Sequence, residues 1–169
     1  MTSLIRVSKE NFRRFQREIM SIEAVSFPTP WSVNQFLVEL KSPVSQLWVL
    51  SGVTGVRGYI CFQLYCGELH LLNIAVHPEQ RGRGLGRRLL AGMIEVGKGE
   101  DVERAWLEVR PSNDAARGLY EGAGFKEILR RRRYYTDTGE DAIIMALDLK
   151  GRAPDARFPS RAMYTHAVE

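Results

Sequence analysis

Cysteine is scarce, with two residues in 169, and histidine nearly so, with three. Cys61 and Cys66 both fall in YICFQLYCG. On one strand their odd separation turns the side chains to opposite faces, so they cannot bridge within it. They read as two small buried or edge residues. His70, His77 and His166 keep no ligand spacing with one another or with cysteine, so no metal is expected. Long apolar runs are missing too. Nothing approaches the roughly 20 residues that cross a bilayer, and no membrane partner is expected. The opening stretch, MTSLIRVSKENFRRF, is broken by charge too early for a secretory apolar core. The expected compartment is the cytoplasm.

What is present is ordinary globular composition, 44% hydrophobic and 26% charged. A chain of this length buries roughly 70% of its unfolded surface, enough to fold as one domain without disulfide or metal. The net charge of +4 suits an anionic partner: nucleic acid, a membrane surface or a phosphorylated cofactor. Arginine gathers in RGRGLGRR (81–88) and in RRRR (130–133).

Periodicity divides the chain into elements. SLIRV (3–7) reads as a strand. Lys9 to Ala24 reads as a helix, with Phe12, Phe15, Ile19 and Ile22 on one stripe. The prolines of SFPTPWS exclude its continuation. Ser32 and Gln35 form a capping box, and Trp31 with Phe36 a hydrophobic staple, for a second helix that ends at Pro43. Segments 47–53, 56–65 and 68–76 read as an antiparallel meander with turns at Thr54-Gly55 and Cys66-Gly67. LGRRLLAGMIEVGK (85–98) carries an apolar stripe of helical period, and RAWLEVR (104–110) is a strand. Strand, helix, strand implies a parallel pair joined by a crossover. Ser112 or Asn113 caps a short helix through Glu121, stopped by Gly124. Strands 126–135 and 141–149, joined around Thr138-Gly139, complete the set. The expected fold is α/β: a mixed, mostly antiparallel seven-stranded sheet with about four helices on both faces, in a single domain over 1–150. Residues 151–169 have lost periodicity and read as an irregular tail, packed or mobile.

The most informative segment is NIAVHPEQRGRGLGRRLL. A buried strand ends at Val76, and a loop bearing Arg81, Gly82, Arg83, Gly84 and Gly86 leads into a helix beginning near Gly84. A helix start has unpaired N–H groups and a partial positive charge. Glycines let an anion approach those groups, and arginine forks suit phosphate oxygens. A glycine-rich turn beside a solvated basic helix face would look similar. The dinucleotide spacing G-x-G-x-x-G is absent, since the glycines fall at 82, 84 and 86, and no Gly-Lys-Ser/Thr marks a triphosphate loop.

Arg81-x-x-Gly84-x-Gly86, preceded by Asn73-Ile74-Ala75-Val76-His77-Pro78, resembles the acetyl-CoA signature of the GCN5-related N-acetyltransferase (GNAT) superfamily. WLEVR (106–110), Ser112-Asn113, Leu119-Tyr120-Glu121 and Gly124-Phe125 follow in that family's order, and the resemblance spans about residues 3–149. It implies the acyl-CoA N-acyltransferase fold and acetyl-CoA as co-substrate. By the same resemblance, the amides of Gly82, Arg83, Gly84, Leu85, Gly86 and Arg87 hold the pyrophosphate, with Arg81 at the first position of the motif. The backbone of Ile74, Ala75 and Val76 pairs with the pantetheine arm, and a backbone N–H there faces the thioester carbonyl. The Asn113 side chain holds the pantetheine. Tyr120 becomes the general acid and Glu108 the general base.

Read without the resemblance, Tyr120 is a packed aromatic on a short helix, and Glu108 an ion-pair partner of Arg110 or another arginine. Asn113 and Tyr120 lie seven apart, on one helix face. Glu108 lies near the carboxyl end of its strand, where open α/β sheets place ligands, and shares a face with Trp106 and Arg110. An α-ammonium has a pKa of about 8 and a free Glu about 4.3, so direct proton transfer is uphill by about 5 kcal/mol. Desolvation of the base or a water relay has to bridge that gap.

Within the superfamily, RRYYTDTGEDAIIMALDL most resembles the bacterial branch that acetylates the N-terminal alanine of a small-subunit ribosomal protein. The resemblance therefore implies a protein N-terminus as acceptor. Two alternatives stay open: acetylation of a small-molecule amine, and a non-catalytic module that binds acyl-CoA or RNA. On a strand, Arg130–Arg133 would alternate, two guanidinium groups to each side, as a solvated edge or a contact for an acidic partner. Only Tyr134 and Tyr135 adjoin the run, too few aromatics for base stacking, which argues against direct nucleic-acid binding. With Trp31 they line an acceptor cleft or simply pack.

Overall fold

The computed structural model describes residues 1–151; from 152 onward the expected tail lies outside the described residues. Its first helix shows how the sequence sets each layer. In α1 (Phe12–Ser26), Phe12, Phe15, Ile19, Ile22 and Ser26 recur at helical spacing and are buried, while Arg13, Arg14 and Arg17 face out. The helix starts three residues later than the stripe suggests. The Asn11 side chain accepts from the Ser8 amide at 2.8 Å, and this closes a turn ahead of the helix. After the proline-bearing loop, α2 (Val33–Lys41) begins with the full capping box, Ser32 and Gln35 each accepting from the other's amide. The Trp31 and Phe36 rings of the staple meet edge-on, 5.1 Å apart.

Seven strands form one sheet in the order β1-β2-β3-β4-β5-β7-β6. They are β1 (Ser3–Val7), β2 (Ser45–Gly52), β3 (Gly55–Tyr65), β4 (Glu68–Val76), β5 (Arg104–Val109), β6 (Lys126–Arg131) and β7 (Ala142–Asp148). Every pairing is antiparallel except β4 with β5. Those two are joined by α3 (Leu85–Gly99), and α4 (Asp114–Gly122) follows β5. A short 3-10 turn at Pro78–Gln80 fills part of the loop before α3.

The sheet separates two cores. Leu69, Leu71, Ile74, Leu107 and Val109 pack with Leu89, Leu90 and Met93 of α3 and with Ala116 and Tyr120 of α4. On the opposite face, Leu72, Ala75, Val49 and Tyr59 pack with Phe15, Ile19 and Ile22 of α1 and Phe36 of α2. Trp106, Ile144 and Ala146 extend that second face under Tyr135.

Two departures from the expected strands matter for the site. The first is at β6, which stops at Arg131 rather than Tyr135. Arg133 takes a left-handed backbone (φ 49°), its amide donates to Asp141 Oδ1 at 2.9 Å, and Gly139 N–H donates to the Tyr135 carbonyl at 2.7 Å. A chain turning in this way cannot stay in the ladder. Arg132 and Arg133 therefore leave the strand, and the expected two-and-two alternation of the arginine run does not form. The second concerns β4 and β5, which pair only at Glu68, Leu69 and His70, opposite Arg104, Ala105 and Trp106. At that point a bulge inserts Leu72 into β4: Cys61 pairs with Asn73 but Phe62 with Leu71. A bulge bends its strand and adds twist. Beyond His70 the two parallel strands part, which opens a gap in the middle of the sheet.

Candidate active site

The gap is bordered on one side by the unpaired edge of β4 from Leu71 to Val76 and on the other by the end of β5. Ile74 and Ala75 send their side chains into opposite cores, so their main chain is what they offer to the gap. That suits the strand-like pairing expected of an extended pantetheine arm.

On the face of α3 and α4, a groove of about 390 Å³ leads to the gap, lined by Val76, the loop before α3 and the Ala115–Leu119 side of α4. Arg81, Gly82, Gly84, Leu85, Gly86 and Arg87 line it, while Arg83 is exposed beside it. Gly82 and Gly84 both take positive φ (74° and 75°), and a Cβ at either would meet nothing within 4 Å. Their backbone is therefore bare to the groove. Gly84 is the N-cap of α3 and has no side chain to cap with, so the amides of the first turn remain available to an anion. Gly86 serves packing instead: a Cβ there would come within 3.3 Å of Leu119 Cδ2. Arg81, which lines the groove, also ties two elements together. Its Nε donates to the Val76 carbonyl at 3.1 Å and its Nη2 to Ser26 Oγ at 3.2 Å, tying the end of β4 to the end of α1.

Asn113 caps α4 as expected, its Oδ1 accepting from the Ala116 amide at 3.1 Å. Its Nδ2 is buried with no hydrogen-bond partner, a donor that an amide-bearing ligand such as pantetheine would satisfy. Bare loop amides, an uncapped helix start and this orphaned donor fit acetyl-CoA. Among the described residues, no group of three His, Cys, Asp or Glu side chains could hold a metal ion, and no helix is long and apolar enough to cross a membrane.

Tyr120 and Glu108 approach β5 from opposite faces. Tyr120 is fully buried in the core of α3 and α4, against Phe125. Glu108, 2% exposed, stands on the other face with Trp106, near Tyr134 and Arg131. Its Oε1 accepts from Arg131 Nη1 at 3.3 Å. The Tyr134 hydroxyl is hydrogen-bonded to it, and burial together with the Glu108 charge pushes that phenol up to about 12, so it stays protonated. The arginine that pairs with Glu108 is thus Arg131, and Arg110 is engaged elsewhere. Arg110 grips both carboxylate oxygens of Asp137 (3.0 and 2.9 Å) and lies 3.8 Å from the centre of the Tyr135 ring. With Glu140 accepting from the Ser112 amide at 3.2 Å, this fastens the loop between β6 and β7 over the end of β5. Trp31 and Tyr135 are buried; Tyr134 is partly open.

Sequence reasoning missed a polar cluster on the same face as Glu108. Glu23 of α1, 1% exposed, accepts from the Trp31 amide at 2.6 Å, from the Tyr59 hydroxyl and from Asn73 Nδ2 at 3.2 Å. Desolvation raises it to about 7 against the pull of the Trp31 and Asn73 donors. The signal was present: Glu23 sits four residues after Ile19, on the apolar stripe, and Asn73 interrupts LLNIAV.

A sheet parted between two parallel strands, with an uncapped, glycine-lined helix start on one face, defines an acyl-CoA-binding transferase. Comparison with known proteins agrees. The acetyltransferase (GNAT) family model matches residues 16–125. The chain is 42% identical over 130 residues, 76% of its length and 87% of the relative's, to a [ribosomal protein bS18]-alanine N-acetyltransferase of Salmonella typhimurium. It is 38% identical to N-alpha-acetyltransferase RimI of Mycobacterium tuberculosis over 125 residues, 70% of this chain and 76% of that one. The crystal structure of the ribosomal-protein-S18-alanine N-acetyltransferase from Escherichia coli superposes with a TM-score of 0.79 at 34% identity, covering 94% of this chain and all of that one. The chain belongs to the GNAT family, and it is an acetyl-CoA-dependent N-acetyltransferase.

Proposed function

We propose that the enzyme acetylates the α-amine of a protein N-terminus, the N-terminal alanine of ribosomal protein bS18 being the acceptor its relatives' names indicate, with Glu108 as base and Tyr120 as acid. The observation that carries this reading is that Tyr120 packs in the core of α3 and α4 while Glu108 stands on the opposite face of β5, the strand that borders the gap. Acetyl-CoA supplies an activated thioester. Gly82–Arg87 and Asn113 would hold it on the face of α3 and α4, leaving its reactive end at the gap.

An amine arriving from the other face meets Glu108, which takes its proton directly or through water. A main-chain N–H along Ile74–Val76 donates to the thioester oxygen as charge develops there. Tyr120 gives its proton to the departing sulfur; a phenol of pKa about 10 protonates a thiolate of pKa about 8.5 at modest cost. Tyr135, under the Arg110 guanidinium, and Tyr134, hydrogen-bonded to Glu108, wall the acceptor side. The reading places the enzyme in the cytoplasm.

The test is incubation with labelled acetyl-CoA and a peptide carrying the bS18 N-terminus, beside a panel of small amines, followed by mass spectrometry. Label on the peptide α-amine supports the proposal. Label confined to small amines would replace it with the small-molecule reading, and binding without turnover on any amine would leave a sensor.

A further inference from the structure

The Glu23 cluster ties together α1, the α1–α2 loop, β3 and β4. Oε1 takes the Trp31 amide at the end of the α1–α2 loop. Oε2 takes the Tyr59 hydroxyl from β3 and Nδ2 of Asn73 from β4, at 3.2 Å; the same Nδ2 lies 3.4 Å from Oε1. Asn73 follows the bulged Leu72, where β4 has just left β5. From there to Val76, β4 has a ladder partner on one side only.

We propose that Glu23 is a positioning residue for acyl transfer: through Asn73 it fixes the edge of β4 that borders the gap, and through Trp31 it fixes the loop on the acceptor face. This deepens the transfer reading given above and rests on it.

Packing alone does not account for a carboxylate here. Replacing both partners of a buried polar contact with apolar groups of the same shape is often nearly neutral or stabilising, whereas converging donors in a dry interior specify one geometry. Three donors from three elements converge on Glu23. Its two oxygens have no orientation that satisfies all of them unless the loop, β3 and the bulge stand where they do. Glu23 does not act on the acceptor itself. It is saturated by protein donors and closed to solvent.

The amide of glutamine can accept from Trp31 and donate to Tyr59, but it leaves an Asn73 donor without an acceptor unless that side chain flips. Asp at position 73 beside Glu23 would set two carboxylates against each other. The pair exchanged, Glu23→Gln with Asn73→Asp, restores one carboxylate and one amide with every donor satisfied.

Steady-state kinetics on the bS18 peptide, the acetyl-CoA dissociation constant by calorimetry and thermal midpoints decide the matter, with all assays run well below the lowest midpoint. A displacement of about 1 Å at a reacting centre costs on the order of 100-fold in rate. We expect kcat to fall about 10-fold in Glu23→Gln and about 100-fold in Asn73→Asp. The exchanged pair should return to within about fivefold of the wild type, and acetyl-CoA affinity should change less than about threefold throughout. Wild-type kcat in Glu23→Gln would overturn the proposal, as would an exchanged pair no better than Asn73→Asp. A wild-type enzyme that transfers nothing to any amine would instead sink the transfer reading, and this inference with it.

Discussion

Nη1 of Arg131 stands 3.3 Å from Oε1 of Glu108, and the pair spans β7, which lies between their two strands. Arg131 is opposite Ala142 and Glu108 opposite Ile144, so the small alanine leaves the guanidinium room to cross. A cation this close favours the ionised carboxylate. With Arg131→Gln, Glu108 keeps the Tyr134 hydroxyl but loses the charge. If Glu108 is the base, the acid limb of kcat/KM should move upward, and Arg131→Lys should leave it in place or move it less. The pH–rate profile is the measurement. Superposable wild-type and Arg131→Gln profiles would remove Glu108 from the rate-limiting proton transfer.

Tyr120 offers a sharper separation of chemistry from binding. Its ring is packed against Phe125, with centroids 6.1 Å apart, and phenylalanine keeps that contact. Tyr120→Phe should therefore lower kcat by about 100-fold while changing acetyl-CoA affinity little, as the loss of a general acid does. Turnover within threefold of wild type would assign the leaving-group proton to another donor, water included.

The cofactor side of this site is local in sequence and the acceptor side is not. The positive φ of Gly82 and Gly84 and the cap at Asn113 are local features that neighbouring residues dictate, and NIAVHPEQRGRGLG and RPSN suggest them. The meander and the strand–helix–strand unit follow from turn residues and periodicity for the same reason. Nothing local predicts the parting of β4 from β5. It coincides with a bulge at Leu72, and both β3 and β5 are needed to define it. The partners of Glu108 and Glu23 likewise lie 23 and 50 residues away along the chain, at Arg131 and Asn73. Tertiary packing chose among several arginines with the same local preference. RRRRYY has strand-like composition throughout, while the turn that ends β6 at Arg131 is set by Asp141 from across the hairpin.

Gly118 separates stability from affinity. It lies inside α4, lines the groove, and a Cβ there would meet no atom within 4 Å. Alanine in a helix interior is more favourable than glycine by roughly 0.5–1 kcal/mol. Gly118→Ala should raise the stability read from denaturant midpoints by about that amount. The same methyl group occupies space in the groove, so acetyl-CoA should bind about 3- to 30-fold more weakly, the range expected for a small steric intrusion. Calorimetry checks the second half. Stability gained with affinity unchanged would move the ligand path away from this side of α4.

Two buried groups make opposite demands on pH. Glu23 is raised from 4.5 to about 7 by desolvation, so the folded state holds its proton more tightly than the unfolded chain does. Its contribution to stability is therefore greatest below about 4.5 and is lost as pH climbs to about 7. His70 is lowered from 6.5 to about 4, again by desolvation. At neutral pH its 3.3 Å contact with Glu68 is accordingly made by a neutral ring and is not an ion pair. Here the unfolded chain binds the proton more tightly, and stability rises with pH from about 4 to about 6.5. Each effect amounts to about 3 kcal/mol at most, and between 4.5 and 6.5 the two slopes oppose each other. Replacing either group should unmask the other. Relative to the wild type, Glu23→Gln should gain stability steadily as pH rises through that window. His70→Gln should lose it. Carboxylates remote from both positions, such as Asp137 and Glu140, titrate alike in all three proteins and drop out of the differences. Denaturant unfolding at pH 4.5, 5.5 and 6.5 provides the comparison, and parallel stability profiles for the three proteins would mean that neither Glu23 nor His70 keeps its unusual protonation in the folded chain.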